Sequence, residues 1–192
     1  MTPVRGVEMQ GRGFSVYDIP PSPWVRRFAA LIAPQGRVLD LACGLGRHAR
    51  LLADMGYRVE AVDRDPQALA ALKGVQGIDT RVADTESRPW PYDAASFDGV
   101  IVTNYLHRPI FAALIDAIGP GGVLIYETFM VGNETLGKPS NPDFLLQPGE
   151  LLDRVHARLT VIAFEQGRVE SPKPACVQRI CAVAGGVGRL PI

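Results

Sequence analysis

The chain has 192 residues, 47% of them hydrophobic, with 20 basic and 20 acidic side chains. That length is enough to bury roughly 70% of the unfolded surface in one core, and a balanced charge leaves no basic footprint for a nucleic-acid partner. Three cysteines, Cys43, Cys176 and Cys181, show no metal-ligand spacing, and their odd number speaks against a disulfide framework. The opening residues carry no signal-type apolar core and no transmembrane-length apolar run follows, so the chain reads as soluble and cytoplasmic, with no membrane partner.

Residues 1–24 are rich in Gly and Pro with scattered aromatics; they are expected to be a flap over a bound ligand or a disordered segment. Residues 25–186 are expected to form one domain and residues 187–192 a tail. Val25, Phe28, Ala29 and Ile32 recur at helical spacing, and Pro34-Gln35-Gly36 ends that helix. Val38 to Ala42 reads as a strand, Cys43 to Gly46 as a glycine turn, and Arg47 to Met55 as a helix stopped by Gly56. Arg58 to Asp63 follows as a second strand. Pro66 opens a short helix, and Gly77 to Asp84 makes the third strand.

Thr85 to Ser96 is a proline-stiffened loop, Phe97 to Thr103 a buried strand, and Asn104 to Pro109 its exit. Pro109 to Ile118 reads as helix, Gly121 to Phe129 as the fifth strand, and Met130 to Pro148 as a long loop, expected to act as a lid. A short helix over Gly149 to Val155 precedes two strands, Leu159 to Glu165 and Val177 to Ala184, joined as a hairpin through Gln166 to Ala175.

The chemistry centres on Gly36 to Asp65. Gly44 and Gly46 let a ligand lie against the main chain, the helix opening near Gly46 presents unpaired N–H groups to a carboxylate or phosphate, and Asp63 can accept two ribose hydroxyls. Gly44-x-Gly46-x-x-Ala49 with a later acid also fits a dinucleotide fingerprint. Asp40 separates the two readings, because a carboxylate just before the turn repels a pyrophosphate but holds an ammonium. S-adenosylmethionine carries an ammonium, a carboxylate and a ribose.

VLDLACGLG followed by EAVD resembles motif I and the acidic loop of class I S-adenosylmethionine-dependent methyltransferases. GRHA, NYLHRP, ETF and NPDFLLQPGEL resemble a subgroup of small bacterial proteins similar to tellurite-resistance methyltransferases. The resemblance implies an α/β, Rossmann-like, seven-stranded, mostly parallel sheet with helices on both faces and an antiparallel last strand. It implies S-adenosyl-L-methionine as cofactor, S-adenosyl-L-homocysteine as product, and cofactor contacts from Asp40, Ala42, Gly44, Gly46, Arg47, Asp63, Arg64, Asp84 and Asn104. No Asn/Asp-Pro-Pro-Tyr/Phe motif follows the fourth strand, which points away from DNA-adenine and glutamine acceptors.

A sulfonium is already a good leaving group, so methyl transfer asks mainly for an aligned nucleophile and excluded water. A thiol or metalloid-type anion needs no base, whereas an oxygen or amine acceptor does. His107 is the candidate base, with Tyr105 and Tyr126 as orienting groups. The expected function is therefore methyl transfer to a small-molecule acceptor by a monomer or homodimer. The alternatives are an NAD-dependent oxidoreductase on the same turn, or a cofactor-binding module without turnover.

Overall fold

The computed structural model describes residues 19–186. The expectations for residues 1–18 and for the tail at 187–192 lie outside the described residues. Helix α1, Pro23–Phe28, is capped by Ser22, whose Oγ accepts from Trp24 N, and a 3-10 turn over Ala29–Leu31 continues it. The other helices are α2, Arg47–Asp54, α3, Pro66–Ala70, α4, Phe111–Asp116, and α5, Glu150–Val155. The strands are β1, Arg37–Leu41, β2, Arg58–Asp63, β3, Ile78–Val82, β4, Phe97–Thr103, β5, Ile118–Phe129, β6, Thr160–Val169, and β7, Ala175–Val183.

The seven strands form one sheet in the order β3-β2-β1-β4-β5-β7-β6. The pairs from β3 to β5 are parallel, and β7 runs antiparallel to both β5 and β6. This is the expected Rossmann-like architecture. Its strand order reverses between β1 and β4, so a crevice opens beyond their carboxyl ends, where ligands bind in open α/β sheets.

Side chains alternate between two apolar layers, as the pleat requires. On one face Val38, Ile101, Ile125 and Cys181 meet Trp24, Phe28, Leu52 and Leu72. On the other, Leu39, Val100, Leu124 and Ile180 meet Phe111, Leu114, Leu151 and Val155. Strands buried on both faces read as continuous apolar runs, which is why β4 and β5 stand out in the sequence.

Two boundaries differ most from expectation. β5 begins at Ile118 rather than Gly121, because Ile118 pairs with Phe97 across an irregularity before Gly99; the Gly-Pro-Gly-Gly stretch is absorbed into the strand. β6 runs on to Val169, well past Glu165, because its pairing with β7 continues to Ala175.

The long segment after β5 is stapled in place. Met130 bridges Leu146, and Leu145 and Leu146 are buried. The Arg108 guanidinium donates to both carboxylate oxygens of Glu150, at 2.8 and 2.9 Å, and to the carbonyls of Asp143 and Leu145. Those bonds hold Glu150 well below the usual carboxylate range, to about 2, against the cost of its burial. They also fix the route of the loop.

Candidate functional site

The first turn after β1 is where the chain departs from ordinary backbone. Ala42, Gly44 and Gly46 all take positive φ, at 53°, 54° and 76°, and Gly46 is the residue from which α2 starts. The two glycines serve different ends. A Cβ on Gly44 would meet nothing, so its backbone lies open to a ligand. A Cβ on Gly46 would overlap the side chain of Leu72. Gly46 is therefore needed for close packing of α2 against the segment after α3, a task the sequence did not suggest.

Asp63 locks this turn. Its Oδ2 accepts from Gly44 N at 2.8 Å and its Oδ1 from Asp65 N at 2.9 Å, which fixes the carboxylate at the end of β2. Beside it lies a cavity of about 140 Å³ lined by Leu41, Ala42, Val62, Asp63, Arg64, Ala83, Asp84, Thr85, Glu86 and Tyr105. Three carboxylates face one guanidinium there, and Arg64 lies 3.7 Å from Glu86. Asp84 accepts from Ser87 Oγ and from the amides of Glu86 and Ser87; these bonds hold its carboxyl below the usual range. It thus caps its own loop while lining the cavity. Tyr105 Oη and Thr85 Oγ1 share a hydrogen bond at 3.2 Å, and burial raises the phenol's pKa.

A second cavity, about 480 Å³, shares Ala42 with the first and is lined by Ile19, Ala42, Cys43, Gly44, Leu45, Arg47, His48, Arg50, Thr103 and Asn104. Its lining includes two guanidiniums and no carboxylate. Arg47 is half-buried and donates to Pro20 O at 3.2 Å. Burial lowers its pKa, against the fields of Glu127 and Asp40. Asn104 stands exposed at the exit of β4 with φ 55°, its N–H donating to Glu127 O at 2.9 Å. Positive φ by itself does not mark the site, since Gln35 and Ala95 share it.

Asp40 lies beneath both cavities and lines neither. It is 1% exposed, and neither carboxylate oxygen has a hydrogen-bond partner among the described residues. Burial raises its pKa to about 7, against the favourable fields of the Ala49 amide and Arg47. It presents no surface to either cavity, where the sequence suggested a carboxylate open to an ammonium.

The three expected catalytic side chains are not brought together in one cavity. Tyr126 is in the core, 2% exposed, stacked on Phe111 with centroids 5.4 Å apart and donating to Tyr105 O. Tyr105 belongs to the Asp63 cavity. His107 lines neither cavity; its carbonyl accepts from Ile110 N at the start of the next turn. Cys43 is buried, and burial beside Asp40 pushes its thiol pKa far up, so it is no nucleophile. Arg179 is engaged by Glu165 and Glu127 and sits over the Trp24 ring.

The residue that sequence reasoning undervalued is His48. It is 1% exposed, yet one edge lines the larger cavity. Its Nε2 accepts from Ser22 N at 3.0 Å, and its Nδ1 lies 3.3 Å from Thr103 Oγ1. Its place in the first turn after the glycines was the available signal, but both partners are remote in sequence.

Residues 38–122 match the family model described as a methyltransferase domain. The seven-stranded sheet around that match has the Rossmann-like methyltransferase fold. The chain is 32% identical over 114 residues to a protein-L-isoaspartate O-methyltransferase of Chlorobaculum tepidum, a match covering 54% of this chain and 49% of that one. Such curated relatives are matched over only about half their length. In fold it resembles TehB from Haemophilus influenzae, with TM-score 0.68, 20% identity, and coverage of 84% of this chain and 61% of that one. It likewise resembles the 1,6-didemethyltoxoflavin-N1-methyltransferase of Burkholderia thailandensis, with TM-score 0.61, 19% identity, and coverage of 85% and 76%.

Proposed function

We propose that this protein is an S-adenosylmethionine-dependent methyltransferase with a small-molecule acceptor. The observation that carries the reading is the change of sign along one cleft. The Asp63 cavity is acidic, which suits ribose hydroxyls and an adenine amino group and disfavours phosphate. The adjoining cavity is cationic and opens on the glycine turn, which suits a carboxylate. A nucleoside joined to an amino-acid tail matches that order.

In this reading Asp63 receives the ribose hydroxyls, Asp84 and the Ala83 backbone lie on the adenine side, and Arg47 faces the tail carboxylate. Asp40, whose carboxyl burial inclines to hold its proton, would be drawn to its carboxylate form by the ammonium of the ligand. When bound, the cofactor provides an activated methyl group on a good leaving group. The protein's own part is to hold, orient and exclude water. The toxoflavin-type methyltransferase with a similar fold holds S-adenosylhomocysteine and a small heterocycle, which supports a small acceptor.

A thiol or metalloid-type anion fits the larger cavity on chemical grounds. Of the groups facing it, burial holds the proton on the Cys43 thiol and keeps the His48 ring neutral with both nitrogens bonded, so neither is poised to take a proton near neutral pH. An acceptor that arrives ionised asks for no such group.

Calorimetric titration with S-adenosylhomocysteine, with NAD as control, tests the cofactor reading. Binding of the first alone is expected. Release of S-adenosylhomocysteine from S-adenosylmethionine with thiol, oxyanion and phenol acceptors then tests turnover, and binding without turnover on any acceptor would leave a cofactor-binding module.

A further inference from the structure

Residues 19–22 run from the rim of the larger cavity to α1, and side chains of α2 and β5 hold them there. Arg47 Nη1 donates to Pro20 O at 3.2 Å. Ser22 Oγ donates to Glu127 Oε1 at 2.8 Å. Ser22 N donates to His48 Nε2 at 3.0 Å, and that ring reaches Thr103 with its other nitrogen. Ile19, at the outer end of this strap, lines the cavity opposite Asn104 and Gly44. Beyond the strap, α1 is anchored by Trp24, whose Nε1 donates to Ile180 O at 3.2 Å. The strap is thus pinned from α2 and β5 and runs directly into the anchored α1, while β4 holds the His48 ring.

We propose that His48 is a positioning residue, the clasp that seats the 19–22 strap as the outer wall of the cavity where cofactor tail and acceptor meet. The proposal rests on the methyltransferase reading for what the cavity holds, though not for the clasp itself. The ring's hydrogen bonding sets its role. Because Ser22 N is a donor, Nε2 must be the acceptor, so the proton sits on Nδ1 and points at Thr103 Oγ1. Both nitrogens are committed, and Thr103 is itself buried.

Desolvation, reinforced by the neighbouring Arg47 charge, depresses the ring's pKa to about 3. Of the charged groups on its own helix, Arg47 acts on the ring, while Arg50 turns to Ala71 O and Asp54 lies at the far end of the helix; from β5, Glu127 meets Ser22 rather than the ring. The ring stays neutral through the physiological range, so the clasp does not open with pH. A neutral, fully engaged imidazole takes no proton from an acceptor. It fixes the only buried amide of the strap that finds its partner on α2 among the described residues. An unsatisfied buried amide is costly, so the ring and the strap stand or fall together.

Amide hydrogen exchange read by NMR, together with titration by S-adenosylhomocysteine, decides this on wild type, His48→Ala and His48→Gln. Gln places an acceptor oxygen near the position of Nε2. The Ser22 amide is expected to be protected in wild type and His48→Gln, and to exchange about tenfold faster or more in His48→Ala, the scale of one lost buried hydrogen bond. The ligand's Kd is expected to rise in His48→Ala and to recover in His48→Gln. The shape of the turnover pH profile between pH 6 and 9, roughly the range served by a catalytic histidine, is expected to be the same for wild type and His48→Gln.

Equal Ser22 exchange in all three proteins overturns the clasp. So does a His48→Gln protein that keeps its strap protected but loses turnover, since the ring would then be acting on the acceptor. If His48→Ala fails to fold, Thr103→Val serves in its place: it removes only the ring's second partner, and unchanged Ser22 exchange there counts against the proposal. A wild-type protein that binds no S-adenosylhomocysteine would overturn the methyltransferase reading and leave the exchange result to judge the clasp.

Discussion

The two cavities that meet at Ala42 are built in different ways. The acidic one is assembled from near neighbours in sequence: Gly44 and Asp63 are 19 residues apart, Thr85 and Tyr105 are 20, and Asp84 and Ser87 only 3. The cationic one needs distant pieces: His48 bonds to Ser22 across 26 residues and to Thr103 across 55, and Ser22 to Glu127 across 105. A site of the first kind can be written into consecutive strand ends, each contributing residues close to the next in sequence. The wall that closes over the reacting end cannot, because it draws on four elements that meet only when the sheet is complete.

That contrast can be broken most sharply at Asp63. Asp63→Ala removes the acceptor of the Gly44 amide as well as the carboxylate proposed to receive the ribose. It is expected to weaken both S-adenosylhomocysteine and 5′-methylthioadenosine by as much as about 3 kcal/mol, the upper end for bonds to a charged group. Calorimetry with the two ligands checks it, and unchanged affinity for either would place the ribose elsewhere.

Asp40 comes next, and its effect is on stability. Its carboxyl pKa is raised by burial from 3.8 to about 7, so the folded protein keeps a proton that the unfolded chain gives up. Stability at this site is therefore full below the unfolded value and falls as pH rises towards the folded one. Asn at this position has no proton to lose. Asp40→Asn is expected to gain up to about 4 kcal/mol over wild type at pH 8 and little at pH 4, while binding the ligand more weakly. Thermal melts at the two pH values check the sign; a gap of the same size at both would mean that Asp40 does not titrate in this window.

A smaller and more selective effect is expected at Arg47. Arg47→Gln should cost S-adenosylhomocysteine about 1 to 2 kcal/mol, the scale of a charge-assisted bond. It should leave methylthioadenosine, which lacks the amino-acid tail, unchanged. Equal loss for both ligands would mean that Arg47 only supports the turn. The smallest effect is expected at His107. His107→Ala should leave S-adenosylhomocysteine affinity at the wild-type value, since the side chain lines neither cavity; a fall in turnover alone would place the acceptor against the exit of β4.

Much of this was legible in the chain. The strand, turn and helix from Val38 to Met55 announce themselves through an apolar run, two glycines and a helical repeat, because each depends on residues a few positions away. Asp63 was legible for the same reason, as an acid ending the next strand. The extents of β5 and β6 were not, since a strand continues wherever its neighbour offers pairing, and Ile118 and Val169 are held by partners far along the chain. Tyr126 looked like a site residue because it lies near the ligand edge of β5, but the pleat turns alternate side chains inward, and this one faces the core under α4.

The sequence by itself determined the class of fold, the position of the nucleotide-type turn and the acid that serves it, because short-range periodicity and local backbone geometry carry that information. Only the tertiary structure decided that Gly46 serves packing, that Asp40 is a sealed carboxyl under the floor, and that His48 binds the 19–22 strap to β4. Burial and hydrogen-bond partnership are properties of which surfaces meet, and these surfaces belong to residues that the chain keeps far apart until it folds.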